Sequence, residues 1–74
     1  MTATLQYRIP QGMSLEYKKE HATWSKLIRT KQPMCERWQD FAAFVDDVAP
    51  KPPFGMLKRR DESQPYSRDN CYWA

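Results

Sequence analysis

The stretch from Met34 to Val48 constrains this chain more than any other. Met34, Trp38, Phe41, Val45 and Val48 recur at i, i+4, i+7, i+11 and i+14, with Cys35 and Phe44 beside them. That spacing sets apolar side chains along one face of a helix. A face with Trp38, Phe41 and Phe44 on it must be covered, because each buried aromatic removes on the order of 150–250 Å² from water. The whole chain is 74 residues long, and a domain of that size buries only roughly 60% of its unfolded surface. One core and one domain are therefore expected: a module over 14–74, preceded by a strand or arm over 1–13.

The cover for that face has to come from the flanking segments. Upstream, Tyr17, His21, Trp24 and Ile28 fall at i, i+4, i+7 and i+11, with Leu27 beside them, which predicts a first helix. Ser14 is its expected N-cap, and Glu16 suits the first turn. Lys18, Lys19, Glu20, Lys26 and Arg29 then take the outer face. His21 reads as a boundary residue, with no nucleophile or carboxylate close by in sequence. Pro33 separates the two helices, since the residue before proline disfavours helical geometry. Pro50 to Gly55 reads as extended linker. Met56-Leu57-Lys58-Arg59 can pair with Asn70-Cys71-Tyr72-Trp73 across a loop rich in turn formers, a β-hairpin. At the start, Leu5, Tyr7 and Ile9 alternate with Gln6 and Arg8, the period-two mark of a half-buried strand, ended by Pro10 and Gly12. The fold class is thus α+β: two helices packed on a short β-hairpin, with an N-terminal edge strand or flexible arm.

Composition narrows the functional classes. Cys35 and Cys71 are too few for a disulfide framework, and His21, the single histidine, lacks the Cys-x-x-Cys or His-x-His neighbours of a zinc site. No apolar run approaches the length of a membrane span, and Met1 to Leu5 lacks the features of a signal peptide. A cytosolic protein with reduced thiols and no metal or other cofactor is expected. The net charge of +3 hides a division: residues 1–33 sum to +4, residues 34–50 to −3, and residues 51–74 to +2. Such an arrangement suits an electrostatically steered binder as well as ordinary solvated faces.

The second half carries a further pattern. Cys35-Glu36-Arg37-Trp38-Gln39-Asp40-Phe41-Ala42-Ala43-Phe44-Val45-Asp46-Asp47 is followed by Lys51-Pro52-Pro53-Phe54-Gly55, then Leu57-Lys58-Arg59-Arg60-Asp61, then Tyr66-Ser67-Arg68-Asp69-Asn70-Cys71-Tyr72-Trp73-Ala74. This order resembles the C-terminal part of small phage HNH-type endonucleases. There a Cys-x-x-Trp-x-x-Phe-x-x-Phe-x-x-Asp helix leads into Arg-Pro-x-Gly, Leu-Asp-Arg-Ile-Asp and Tyr-x-x-x-Asn-Cys-Arg-Trp-Ala. Upstream, Glu20-His21-Ala22-Thr23-Trp24 looks like the family's Glu-Tyr-x-x-Trp helix, so the resemblance covers about 20–74. It implies a degenerate HNH-like module built to hold one divalent ion. Asn70 sits where the family's asparagine does, although in this chain it reads as a turn residue that hydrogen-bonds the hairpin's backbone. Lys58, however, stands at the strand carboxylate position and Arg59 at the next, which is histidine in many HNH enzymes. The family's Gly-Gly-Arg-Gly-Ile stretch between the helices is missing, and the chain ends at Ala74, ahead of the helix that supplies the last ligand. A cation at a ligand position repels a divalent metal, and one asparagine cannot rebuild the site. The resemblance therefore implies ancestry without catalysis, unless a second copy supplies ligands in trans.

Three functions follow as expectations. The first is a non-catalytic phage regulatory protein, an adaptor rather than an enzyme, that acts as a monomer in the host cytoplasm. It binds a host protein complex, with bacterial RNA polymerase favoured by analogy with small phage transcription inhibitors. Its partner-binding residues are Leu5, Tyr7, Arg8 and Ile9 on the strand-like segment and Lys58, Arg59 and Arg60 on the hairpin. The second is a DNA-binding remnant that uses the basic patch, with Tyr66, Tyr72 and Trp73 available to stack on bases. The third is a metal-dependent nuclease.

Overall fold

A computed structural model describes residues 7–74. Two short helices, α1 (Met13–Glu16) and α2 (Lys18–Arg29), are followed by a 3-10 turn (Glu36–Gln39) and α3 (Phe41–Val48). The strands β1 (Leu57–Arg59) and β2 (Cys71–Trp73) form a two-stranded antiparallel sheet, entered through a second 3-10 turn at Arg68–Asn70. The fold is α+β, with the expected hairpin in the register Leu57↔Trp73, Lys58↔Tyr72 and Arg59↔Cys71.

The core is the junction of α2, α3 and the hairpin. Trp38, Phe41 and Phe44 are fully buried, and Trp24, Leu27, Val45, Val48 and Cys71 close the cluster around them. The aromatic rings meet edge-on, tilted or stacked, with Trp38 and Phe44 centroids 4.8 Å apart at 88°, Trp24 and Phe41 5.1 Å apart at 51°, and Phe41 and Phe44 6.2 Å apart at 23°. These are the arrangements the ring quadrupole favours. Each indole N–H finds an acceptor: Trp24 donates to the Trp38 carbonyl at 2.7 Å, Trp38 to Asp47 Oδ2 at 2.8 Å, and Trp73 to the Val48 carbonyl at 2.7 Å. Both cysteines are free thiols, and burial pushes the Cys71 thiol up to about 11.

Several local features differ from the sequence-based expectation. The apolar stripe from Met34 to Val48 is not one helix. Asp40 breaks it with an extended backbone (φ −97°, ψ 116°), and its side chain caps α3 by accepting from the Ala42 N–H at 3.1 Å. The 3-10 turn still delivers Trp38 to the core, so the stripe predicts burial correctly and continuity wrongly. Ser14 is not an N-cap. Gly12 takes that place at φ +80°, and its carbonyl accepts from both Leu15 and Glu16, a conformation glycine adopts without steric cost. Tyr17 (φ −119°, ψ 57°) then separates α1 from α2. Glu20 is not on a solvent face either. It is 6% exposed, and its Oε2 accepts from the Lys51 N–H at 2.7 Å, fixing the segment after α3 against α2.

The expected linker over 50–55 is a tight turn. The Gly55 N–H donates to the Pro52 carbonyl at 3.0 Å, and Phe54 sits at φ 59°. Gly55 is obligatory there, since a Cβ would stand 2.7 Å from Pro52 Cγ. Of the strand expected near the N-terminus, Leu5 lies outside the described residues. Arg8 forms an isolated parallel bridge with Asp40: its N–H donates to the Gln39 carbonyl and its carbonyl accepts from the Phe41 N–H, both at 2.8 Å. That second bond satisfies a backbone donor that the first turn of α3 would otherwise leave open.

Candidate functional site

The hairpin loop is built around Asn70. Its Oδ1 accepts from the Asp61 N–H at 2.9 Å, and its Nδ2 donates to the carbonyls of Asp61, Pro65 and Gln64 at 2.9, 3.0 and 3.3 Å. The side chain is thus committed to the loop backbone, as its reading as a turn residue expects. Asp61 closes the loop further by accepting from the Ser63 N–H and hydroxyl, which hold its carboxyl below the usual range.

On this framework the three hairpin cations are placed differently. Lys58 is exposed at the centre of β1. The Arg59 guanidinium lies 5.1 Å from the Tyr66 ring centroid, and its Nη1 donates to the Gln64 carbonyl at 3.1 Å. The Arg60 guanidinium lies 5.2 Å from the ring of Tyr72. Cation–π contacts of this kind are worth about 0.5–1 kcal/mol at exposed sites, and they orient the charges without neutralising them.

Between α2 and the start of the hairpin runs a groove of about 710 Å³, within the ~300–1,000 Å³ usual for binding clefts. Lys19, Lys26, Lys51, Lys58 and Arg59 line it against one carboxylate, Glu62, while Leu27, Leu57 and Met56 supply apolar surface. Lys19 and Lys26 lie seven residues apart and so share a face of α2. Lys51 reaches the site from the turn after α3, its Nζ 5.9 Å from the Trp73 ring. Among the described residues no group of three His, Cys, Asp or Glu side chains comes together to hold a metal ion.

The two candidate surfaces are anchored on different elements. Arg8 hydrogen-bonds at the start of α3, whereas Lys58, Arg59 and Arg60 belong to the hairpin. Tyr7 packs edge-on against Trp24 at 5.7 Å and is 37% exposed, and Ile9 is 43% exposed. Neither lines the basic groove. His21 packs its ring against Phe41 and Trp24, at 5.3 and 6.0 Å, a boundary position as expected.

Sequence reasoning missed four contributors. Lys19, Lys26 and Lys51 join the site only through the packing of α2 on the hairpin. The spacing of Lys19 and Lys26 was visible, but not what faced them. Phe54 is 99% exposed at a left-handed backbone position beside Gly55. The Pro-Pro-Phe-Gly run was the available signal, since proline followed by a residue and glycine favours a tight turn.

Among the described residues no helix is long and apolar enough to cross a membrane. No protein-family model matches the chain, and comparisons with curated proteins and with solved structures gave no match.

Proposed function

We propose that this chain is a non-catalytic regulatory protein of phage type, acting in the host cytoplasm by docking on a host protein complex. The observation that carries this reading is the groove, where five cations face a single carboxylate around an apolar floor. Such a surface accelerates encounter with an acidic partner and fixes its orientation. Phe54, held out of the core at the turn next to the groove, is the kind of large aromatic that anchors protein interfaces. Lys58 supports the non-catalytic part of the reading, because an ammonium at that strand position offers no ligand for a divalent ion.

Bacterial RNA polymerase is the partner to test first, on the analogy with small phage transcription inhibitors. Tagged protein incubated with bacterial lysate at moderate salt is expected to retain one stoichiometric complex, and Lys58→Glu with Arg60→Glu is expected to release it. Recovery of no stoichiometric partner counts against the proposal.

A DNA-binding reading is favoured by a different observation, the stacking of Arg59 on Tyr66 and Arg60 on Tyr72 beside the groove. It requires duplex affinity that falls steeply with salt. A titration without binding at low salt removes it. Nicking of plasmid DNA with magnesium, abolished by a chelator and by Asn70→Ala, would instead establish a nuclease.

A further inference from the structure

The hairpin leaves one backbone edge open on the groove. Met56 and Ala74 exchange both N–H···O bonds, at 3.1 and 2.8 Å, and the Arg60 N–H donates to the Asn70 carbonyl at 2.8 Å. In an antiparallel ladder such pairs alternate with pairs whose N–H and C=O groups point away from the partner strand. With this register, Lys58 faces Tyr72, and the N–H and C=O groups of Leu57 and Arg59 point outward. No hydrogen bond among the described residues uses these four groups. On β2 the corresponding groups belong to Cys71, buried in the core, and to Trp73, packed against it. On β1 they belong to residues that line the groove.

We propose that the groove accepts an extended, acidic segment of a protein partner, which adds to the outer edge of β1 as a third strand. This rests on the reading of the groove as a protein-docking site and names the form of what docks. Open strand edges template such pairing, with main-chain bonds giving affinity and side-chain contacts giving specificity. The segment lies between β1 and α2, where Lys19 and Lys26 on one side and Lys51 and Lys58 on the other meet its carboxylates. Alternate residues of the segment face the apolar surface of Leu27 and Leu57.

Charge and hydrogen-bond chemistry select this occupant. A second copy of the chain, at net +3, would bring a basic edge against a basic groove. A phosphate backbone offers only acceptors, which leaves the outward carbonyls of Leu57 and Arg59 without donors. A polypeptide supplies both donors and acceptors at the strand repeat.

The test uses the full chain and two hexapeptide probes, acetyl-Glu-Val-Glu-Val-Glu-Val-amide and the same peptide N-methylated at every residue. The charge is equal in both, but the methylated peptide lacks main-chain donors along both edges. The plain peptide is expected to bind at least tenfold more tightly at low salt. In two-dimensional amide NMR it is expected to shift the Leu57 and Arg59 resonances ahead of those of Lys58 and Tyr72. Equal binding by both peptides, no binding by either, or unmoved Leu57 and Arg59 amides would overturn the proposal. So would equal competition by a single-stranded oligonucleotide. Arg59→Pro removes one outward N–H without touching a bond between β1 and β2, and its fold is checked by near-ultraviolet circular dichroism. If folded Arg59→Pro retains the full-length partner undiminished, strand addition fails while the broader docking role stands. Loss of the partner from folded Arg59→Pro but not from Arg59→Ala, which removes the same charge and keeps the N–H, supports both when the peptide preference is present.

Discussion

Phe54 holds a left-handed backbone conformation that costs an L-residue roughly 1–2 kcal/mol, yet its ring contacts almost nothing. Glycine would relieve that cost and forfeit about 0.5–1 kcal/mol of chain entropy. Phe54→Gly is therefore expected to leave stability unchanged or raise it by up to about 1.5 kcal/mol in urea titration, while weakening capture of the partner. A loss of stability above that size would show that the ring packs in the folded state. Asp47 is the opposite case. Its side chain is 3% exposed, and it accepts from Trp38 Nε1 at 2.8 Å and from Arg37 at 3.0 and 3.1 Å. Asp47→Ala leaves the buried indole N–H of Trp38 without its acceptor, for which a cost of about 1–3 kcal/mol is expected. Arg37 is solvent-exposed, so the ion pair itself adds little beyond geometry.

At the scale of elements, the hairpin depends on a loop that has no core of its own. Asn70→Ala removes four hydrogen bonds to that loop and is expected to destabilise it by about 1–2 kcal/mol. The readout is faster hydrogen exchange at Asp61, with the helices unaffected. Both the hairpin and the role of Asn70 were legible in the sequence, because turn formers and apolar pairs are local signals. The helix boundaries were less so. Asp40 before Phe41-Ala42-Ala43-Phe44 is a readable N-cap, but the aromatic period ran straight through it and outweighed it. Gly12 displaced Ser14 for a similar reason: the cap depends on a backbone angle rather than on a side-chain oxygen. The turn at Pro52 to Gly55 hid behind a run of prolines that also suits an extended chain.

For the molecule as a whole, acid sensitivity should pass through the contact between the first 3-10 turn and α3. Hydrogen bonding from Arg37, helped by Trp38, holds the Asp47 carboxyl below its ordinary range. The folded protein therefore takes up that proton less readily than the unfolded chain does. This contribution is complete above the unfolded value near 3.9 and is lost as pH falls through the lower folded value. Unfolding free energy measured from pH 7 downward is expected to fall below about pH 4, and less steeply in Asp47→Asn. The groove was the least legible part. Lys19 and Lys26 carry no mark that they face β1 rather than open solvent, and Lys51 reaches them only because Glu20 pins the turn that bears it. Distance along the chain is the obstacle, since tertiary packing alone makes these charges neighbours. The indole bonds described above have a practical corollary. Trp24, Trp38 and Trp73 each bind a different joint of the structure, α2 to the 3-10 turn, the turn to α3, and α3 to β2. Replacing two of the three with phenylalanine would leave a single tryptophan at a chosen seam, excitable apart from the four tyrosines, so that loosening of each seam could be followed separately without attaching a dye.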